Sequence, residues 1–243
     1  MRLLLINPNT TQAVTDQVLA VARGMAAPGT ELTGVTGRFG AAYVSSRSAY
    51  AIAGHAALDA WAAAGEGFDA VVLACFGDPG LDALRELCPV PVIGMADAAV
   101  AQAAGQGGRF GIVTGGERWE AMLREFVAAR GLTDRLATIR TVAPTGGDIA
   151  RAPDAALPLL AQACRDAAAD GAERVILGGA GLAGLVPALA GAVPVPLIDS
   201  TQAALRAAEA ATAHACAGYD ATLPPVPSTG LSPALAARIS GTT

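Results

Sequence analysis

The sequence predicts an α/β protein of two pseudo-symmetric lobes, each a mainly parallel sheet flanked by helices, with a site in the cleft between them. Three observations lead there. Short apolar runs with β-branched residues alternate with longer Ala-rich segments, the pattern of strands and covering helices. Hydrophobic residues make up 53% of the 243-residue chain and aromatics only 4%, so the core must be built from Ala, Val, Leu and Ile. Such a core suits helices on parallel sheets. The two halves also match at an offset of about 105 residues, an internal repeat.

Residues 2–6 read as the first strand, broken by Asn7-Pro8-Asn9-Thr10-Thr11; Asn9 or Thr10 is placed to cap a helix running to about residue 23. Residues 31–35 form a strand after Pro28-Gly29, residues 38–48 a polar-aromatic loop, and residues 49–64 a helix. Val71 to Ala74 is a buried strand that breaks at Cys75 into Phe76-Gly77-Asp78-Pro79-Gly80 and a helix over 81–87. A strand at 90–93 and a helix at 96–104 complete the first plan. The second half repeats it with strands at 109–113, 138–142, 173–177 and 195–198. Helices reach about residue 130 and cover 154–169 and 200–216, with a short one before the last strand. The domain reading is 1–95 plus about 200–217 for the first lobe, 96–199 for the second, and 218–243 as a loosely held Pro/Ser/Thr-rich tail.

In the repeat, Val71-Val-Leu-Ala-Cys75-Phe-Gly77 lies over Val175-Ile-Leu-Gly-Gly179-Ala-Gly181, and Arg2-Leu-Leu-Leu-Ile-Asn7 over Arg109-Phe-Gly-Ile-Val-Thr114. Ligands of parallel sheets bind at the carboxyl ends of strands. The turns after Asn7, Cys75, Thr114 and Gly179 are four such ends, and the cleft gathers them.

A net charge of -5 and the lack of a basic cluster exclude a nucleic-acid partner; all sixteen basic residues are Arg. The apolar start of the chain is cut off by Asn7-Pro8-Asn9 too early for an export signal, and no run approaches a membrane span. A cytoplasmic, soluble enzyme is the expectation. The four cysteines, Cys75, Cys88, Cys164 and Cys216, lie far apart with no metal-ligand spacing. His55 and His214 sit in Ala-rich helices and read as structural.

Cys75 stands where a strand ends and a helix begins, a place that favours a thiolate. Asp78 is placed to cap that helix or tune the thiol. Backbone N–H groups of Phe76, Gly77, Ala180 and Gly181 form glycine-rich turns suited to a carboxylate or a developing enolate. Asn7, Thr10, Thr11 and Thr114 can orient polar substrate groups or serve as caps. Arg47, beside Ser45 and Ser46, is read as part of a loop over the cleft. Arg118, with Glu117 and Trp119 beside it, is a second cation for an anionic substrate. Gly179-Ala180-Gly181-Leu182-Ala183-Gly184 also fits the dinucleotide pattern, with Asp199 some way on, so NAD(P) binding is a minor alternative.

The stretches Leu5-Ile-Asn7-Pro-Asn-Thr-Thr11, Ala74-Cys75-Phe-Gly-Asp-Pro-Gly-Leu81 and Leu177-Gly-Gly-Ala-Gly-Leu182 resemble the aspartate/glutamate/hydantoin racemase superfamily, nearest its hydantoin and allantoin branch. The resemblance runs to about residue 215. It implies two lobes around one site, no cofactor or metal, homo-oligomers, and proton transfer at the carbon next to a carbonyl of a small carboxylate or cyclic ureide. It also implies two cysteines facing across the substrate. Cys75 matches the first; the second position is Gly179. Two alternatives accompany the racemase-like isomerase: a single-cysteine lyase similar to arylmalonate decarboxylase, and a non-catalytic binder of small acids; maleate isomerase relatives use the cysteine differently, as a nucleophile.

Overall fold

The computed structural model describes residues 1–211, 224 and 226–240. Its first half runs β1 (Arg2–Asn7), α1 (Gln12–Met25), β2 (Glu31–Thr36), α2 (Arg47–Ala64), β3 (Ala70–Leu73), α3 (Leu81–Leu87), β4 (Val92–Gly94) and α4 (Met95–Gly105). The second half runs β5 (Phe110–Gly115), α5 (Trp119–Ala128), β6 (Leu136–Val142), α6 (Gly146–Arg151), α7 (Pro153–Ala169), β7 (Arg174–Gly178), α8 (Val186–Leu189), β8 (Leu197–Asp199) and α9 (Ser200–Ala210), with α10 (Pro233–Ser240) last. Short 3₁₀ turns lie at Thr133–Arg135, Ala180–Leu182 and Ala190–Ala192.

The strands form two four-stranded sheets of order β2-β1-β3-β4 and β6-β5-β7-β8. Every pairing is parallel, and the equivalent strands occupy equivalent places, which is the expected repeat. Their central strands are buried on both faces and read as continuous apolar runs, as at Leu3 to Ile6 and Val175 to Leu177. Helices α4 and α9 lie side by side and touch strands of both sheets. One apolar cluster therefore spans the lobes, from Leu3, Leu5 and Val72 to Phe110, Ile112 and Ile176, with Ala99, Ala103, Ala204 and Ala208 at close helix contacts. The small side chains that fill the sequence are what let these helices and sheets approach closely.

Element boundaries fall close to the expected ones, with three differences. Helix α6 was not anticipated; Thr145 and Asp148 form a reciprocal capping box at its start. Helix α2 begins at Arg47, capped by the Ser46 side chain, so Arg47 is a helix residue and not part of a loop. The chain end is not loose throughout. α10 lies on α2, Leu235 is 1% exposed, and Arg238 bonds Glu66 at 2.9 Å while lying over the Trp61 ring. His214, Cys216 and the end of the helix expected over 200–216 lie outside the described residues. Among the described residues no helix is long and apolar enough to cross a membrane.

If α10 is part of the folded unit, Leu235→Ala opens a cavity against α2 and costs about 2–5 kcal/mol. Urea unfolding followed by circular dichroism checks this; a midpoint equal to wild type would show that the segment contributes nothing.

Candidate active site

Parallel pairing brings the carboxyl ends of β1, β3, β5 and β7 to one cleft. A small cavity there is lined by Asn9 after β1, Ala74, Cys75 and Phe76 after β3, Thr114 in β5, and Gly179, Ala180 and Gly181 after β7. Val14, Tyr43, Val44, Trp119, Gly146 and Gly147 complete the wall.

The Cys75 turn is held from both sides. Ala74 N–H donates to Ile6 O at 2.8 Å, and Cys75 O accepts from Asp78 N–H at 2.9 Å. Asp78 has φ +55°, the one non-glycine residue described in that region. Its carboxylate is turned away from α3 and accepts from Ala96 N–H at 3.0 Å and Asp97 N–H at 2.7 Å. Asp78 thus caps α4, which has no side-chain cap at its own N-cap residue Gly94. Asp97 in turn pairs with Arg85 and with Arg130, tying α3, α4 and the end of α5 together.

Burial decides the protonation of both groups. It pushes the Cys75 thiol up, and the Asp78 charge adds to this. The expected thiolate-favouring effect of a helix start is overridden, and the thiol is neutral in the unliganded protein. Asp78 is pushed up to about 7 by burial, against the opposing pull of the two backbone bonds and Arg130. Burial also raises Tyr43, whose hydroxyl donates to Gly115 O at 3.2 Å across the cleft.

Two aromatic rings close the lobes on each other where glycine leaves room. A Cβ at Gly178 in β7 would lie 2.5 Å from the Phe76 ring of the other lobe. A Cβ at Gly77 would lie 2.6 Å from the Trp119 ring coming the opposite way. Gly179 has φ +130°, which L side chains rarely adopt, and its N–H donates to Ser200 Oγ at 3.2 Å.

The cavity holds roughly 30 Å³, enough for a water or two but far below the ~300 Å³ of a typical small-molecule site. A trough of about 660 Å³ lies beyond Tyr43, Val14 and Gly147, which border both spaces. The space is too small for such a ligand in this conformation, and these residues stand between it and the trough.

Of the anticipated residues, Cys75, Phe76, Thr114, Gly179, Ala180 and Gly181 meet at the cavity. Asn7 is buried beneath it: its amide donates to Asn9 Oδ1 and Thr15 Oγ1, holding the loop onto α1. Thr10 and Gly77 are outside the lining. The Thr10 N–H donates to Ala41 O, and Gly77 O accepts from Tyr50. Arg47 forms an exposed ion pair with Glu125 on a separate depression, and Arg118 is exposed at the N-cap of α5. Neither cation reaches the cavity, because the rings of Tyr43 and Trp119 occupy the wall instead. Sequence reasoning missed Tyr43, Gly146 and Gly147, and gave Asn9 and Trp119 no site role. With only 4% aromatics, Tyr43 and Trp119 beside glycine-rich turns were the available signal.

The dinucleotide reading meets a steric objection. A Cβ at Gly181 would clash with Gly146 O, so α6 packs closely on that turn and leaves room there for a small group but not for one as large as a pyrophosphate. Asp199 is buried, caps α9 through Thr201 and Gln202, and accepts from Gly184 N–H, leaving no carboxylate for a ribose. Among the described residues no His/Cys/Asp/Glu group has metal-site geometry.

Residues 3–208 match the Asp/Glu/Hydantoin racemase family. The chain belongs to that family. It is 39% identical over 218 residues to a hydantoin racemase of Paenarthrobacter aurescens, covering 88% of this chain and 92% of that protein. Its fold superposes on the allantoin racemase of Klebsiella pneumoniae with TM-score 0.84 and 33% identity, over 93% and 96% of the two chains. Arylmalonate decarboxylase shares the fold alone, at TM-score 0.60 and 16% identity over the full length of both chains. This is a racemase-like enzyme, and the residues lining its cavity include the Cys75 and Gly179 positions to which the family resemblance pointed.

The raised Asp78 carboxyl makes a pH prediction. A folded value of about 7 against 3.8 means the native state holds a proton the unfolded chain has lost. That contribution to stability is complete below about pH 4 and disappears as pH rises through about 7. Asp78→Asn should therefore flatten the fall in stability between these limits, measured by denaturant midpoints across the range. Parallel wild-type and variant profiles would refute the assignment.

Proposed function

We propose that this chain is a cofactor-independent isomerase that moves a proton at the carbon α to a carbonyl of a small hydantoin- or allantoin-type substrate, with Cys75 as the acid/base. The observation that carries the reading is the placement of Cys75 on a buried cavity at the strand ends of a chain of this family. The relatives named hydantoin and allantoin racemase support the substrate class.

The chemistry follows from burial. A neutral, desolvated thiol is a poor base at rest; its thiolate, once formed, is strongly basic, and the thiol is a weak acid that gives its proton to a carbanion or enolate. The developing enolate oxygen needs donors already in place. Asn9 is 6% exposed; its Oδ1 accepts from Asn7 and Thr11, while its Nδ2 donates to no described residue. That amide, with the N–H groups of the Phe76 and Ala180–Gly181 turns, is the set we assign to the substrate oxygen. Trp119, Phe76 and Tyr43 exclude water around it.

A second reading is favoured by the same neutral thiol together with Gly179: a single-cysteine lyase that protonates a carbanion left by decarboxylation. It differs in releasing carbon dioxide and yielding one product enantiomer.

Incubation in deuterated water with 5-substituted hydantoins, allantoin, acidic amino acids and arylmalonates separates the two. Wild type should place label on the α-carbon of a ureide without carbon dioxide release, and Cys75→Ser should lower the rate by about 10²-fold or more. Undiminished exchange in Cys75→Ser would remove the cysteine from the mechanism, whereas label gained only with carbon dioxide would establish the lyase.

A further inference from the structure

Cys75 serves one face of the substrate from the first lobe, and Gly179 in the second lobe has no side chain to serve the other. The structure shows what stands there instead. Thr114, in β5 beside β7, is 3% exposed, and its hydroxyl makes no hydrogen bond to any described residue. That hydroxyl is open to the cavity, where a water or a polar group of a ligand can bond it. A Cβ at Gly179 would lie 3.7 Å from Thr114 Oγ1 and 3.6 Å from Leu182 Cδ1, both ordinary contacts, with no other atom beyond its chain neighbours within 4 Å. The ground in front of Gly179 is therefore open, and its one polar boundary is the Thr114 hydroxyl. Its neighbour Ser200 is committed to the Gly179 N–H, and Tyr43 to Gly115 O.

Resting on the reading of Cys75 given above, we propose that Thr114 serves the second face by holding a water in front of Gly179 that exchanges the proton there. The space is of the size a water needs, and a hydroxyl can both accept from and donate to it. In one direction the Cys75 thiol first loses its proton to solvent as the substrate enters, and the resulting thiolate takes the α-proton and becomes the thiol again. The water then gives a proton to the opposite face of the carbon and leaves as hydroxide, which recovers a proton from the Cys75 thiol or from solvent. One C–H bond breaks, one forms, and no oxidant or cofactor enters. The reverse direction runs the same steps backwards. The two faces are chemically unequal, with a thiol on one side and a hydroxyl-bound water on the other. Thr114 acts through that water and is a positioning residue.

The test uses each enantiomer of a 5-alkylhydantoin and of allantoin in deuterated water, with label uptake and optical rotation followed together above the spontaneous rate. Wild type should both exchange and invert. Thr114→Val keeps the shape and the β-branch suited to a strand but removes the hydroxyl, and should lower the ratio of inversion to exchange by about tenfold or more. Thr114→Ser should keep the wild-type ratio, which separates loss of the hydroxyl from loss of folding. An unchanged ratio in Thr114→Val, or a wild type that exchanges label without inverting, would overturn the role of Thr114 and leave that of Cys75 standing. No exchange by wild type on any of these compounds would overturn the reading of Cys75 and this inference with it.

Discussion

The cleft depends on aromatic rings seated on glycine backbone across two lobes. Phe76 of the first lobe lies against Gly178 of the second, and Trp119 of the second lies against Gly77 of the first. Each contact needs a residue without a Cβ on the far side, so glycine lets the two lobes approach closely at the ends of β3 and β7. Shared helices α4 and α9 fix the hinge side of the same arrangement by joining both sheets to one apolar cluster. Cys75 lies in the turn these contacts cover, and its burial holds the thiol neutral.

A thiol at a strand end next to a helix is ordinarily an acidified thiol, through N–H groups and solvent. Here the balance is reversed by desolvation and by the charge of Asp78. Cys75 is thus held as the neutral thiol. Asp78 is spent on a structural task, capping α4 through two backbone N–H groups, and it accepts a strained backbone to do so. The same residue therefore fixes the Cys75 turn to the helix that both lobes share.

Gly179 stands at the position where the family resemblance implies a second cysteine. Its backbone, at φ +130°, is of a kind that a cysteine would adopt only under strain. Thr114, at the edge of the space in front of Gly179, is a polar side chain of the second lobe on the cavity wall.

Much of the fold was legible in the sequence. Apolar strand runs, Ala-rich helices and the internal repeat determined two parallel sheets of equivalent order, because strand ends and helix starts leave local signals in Gly, Pro and β-branched residues. The same logic placed Cys75, Phe76, Thr114, Gly179, Ala180 and Gly181 at one edge. What only the tertiary structure decided was which side chains reach the cavity and in what state. Arg47 and Arg118 looked suited to an anion but remain outside, while Tyr43 and Trp119 come in. Asn7 proved to be the support beneath Asn9, and Asp78 the cap of a helix further along the chain. Composition and spacing set the local path of the backbone; burial, glycine clearance and the approach of a second lobe are non-local, and they determine protonation and access.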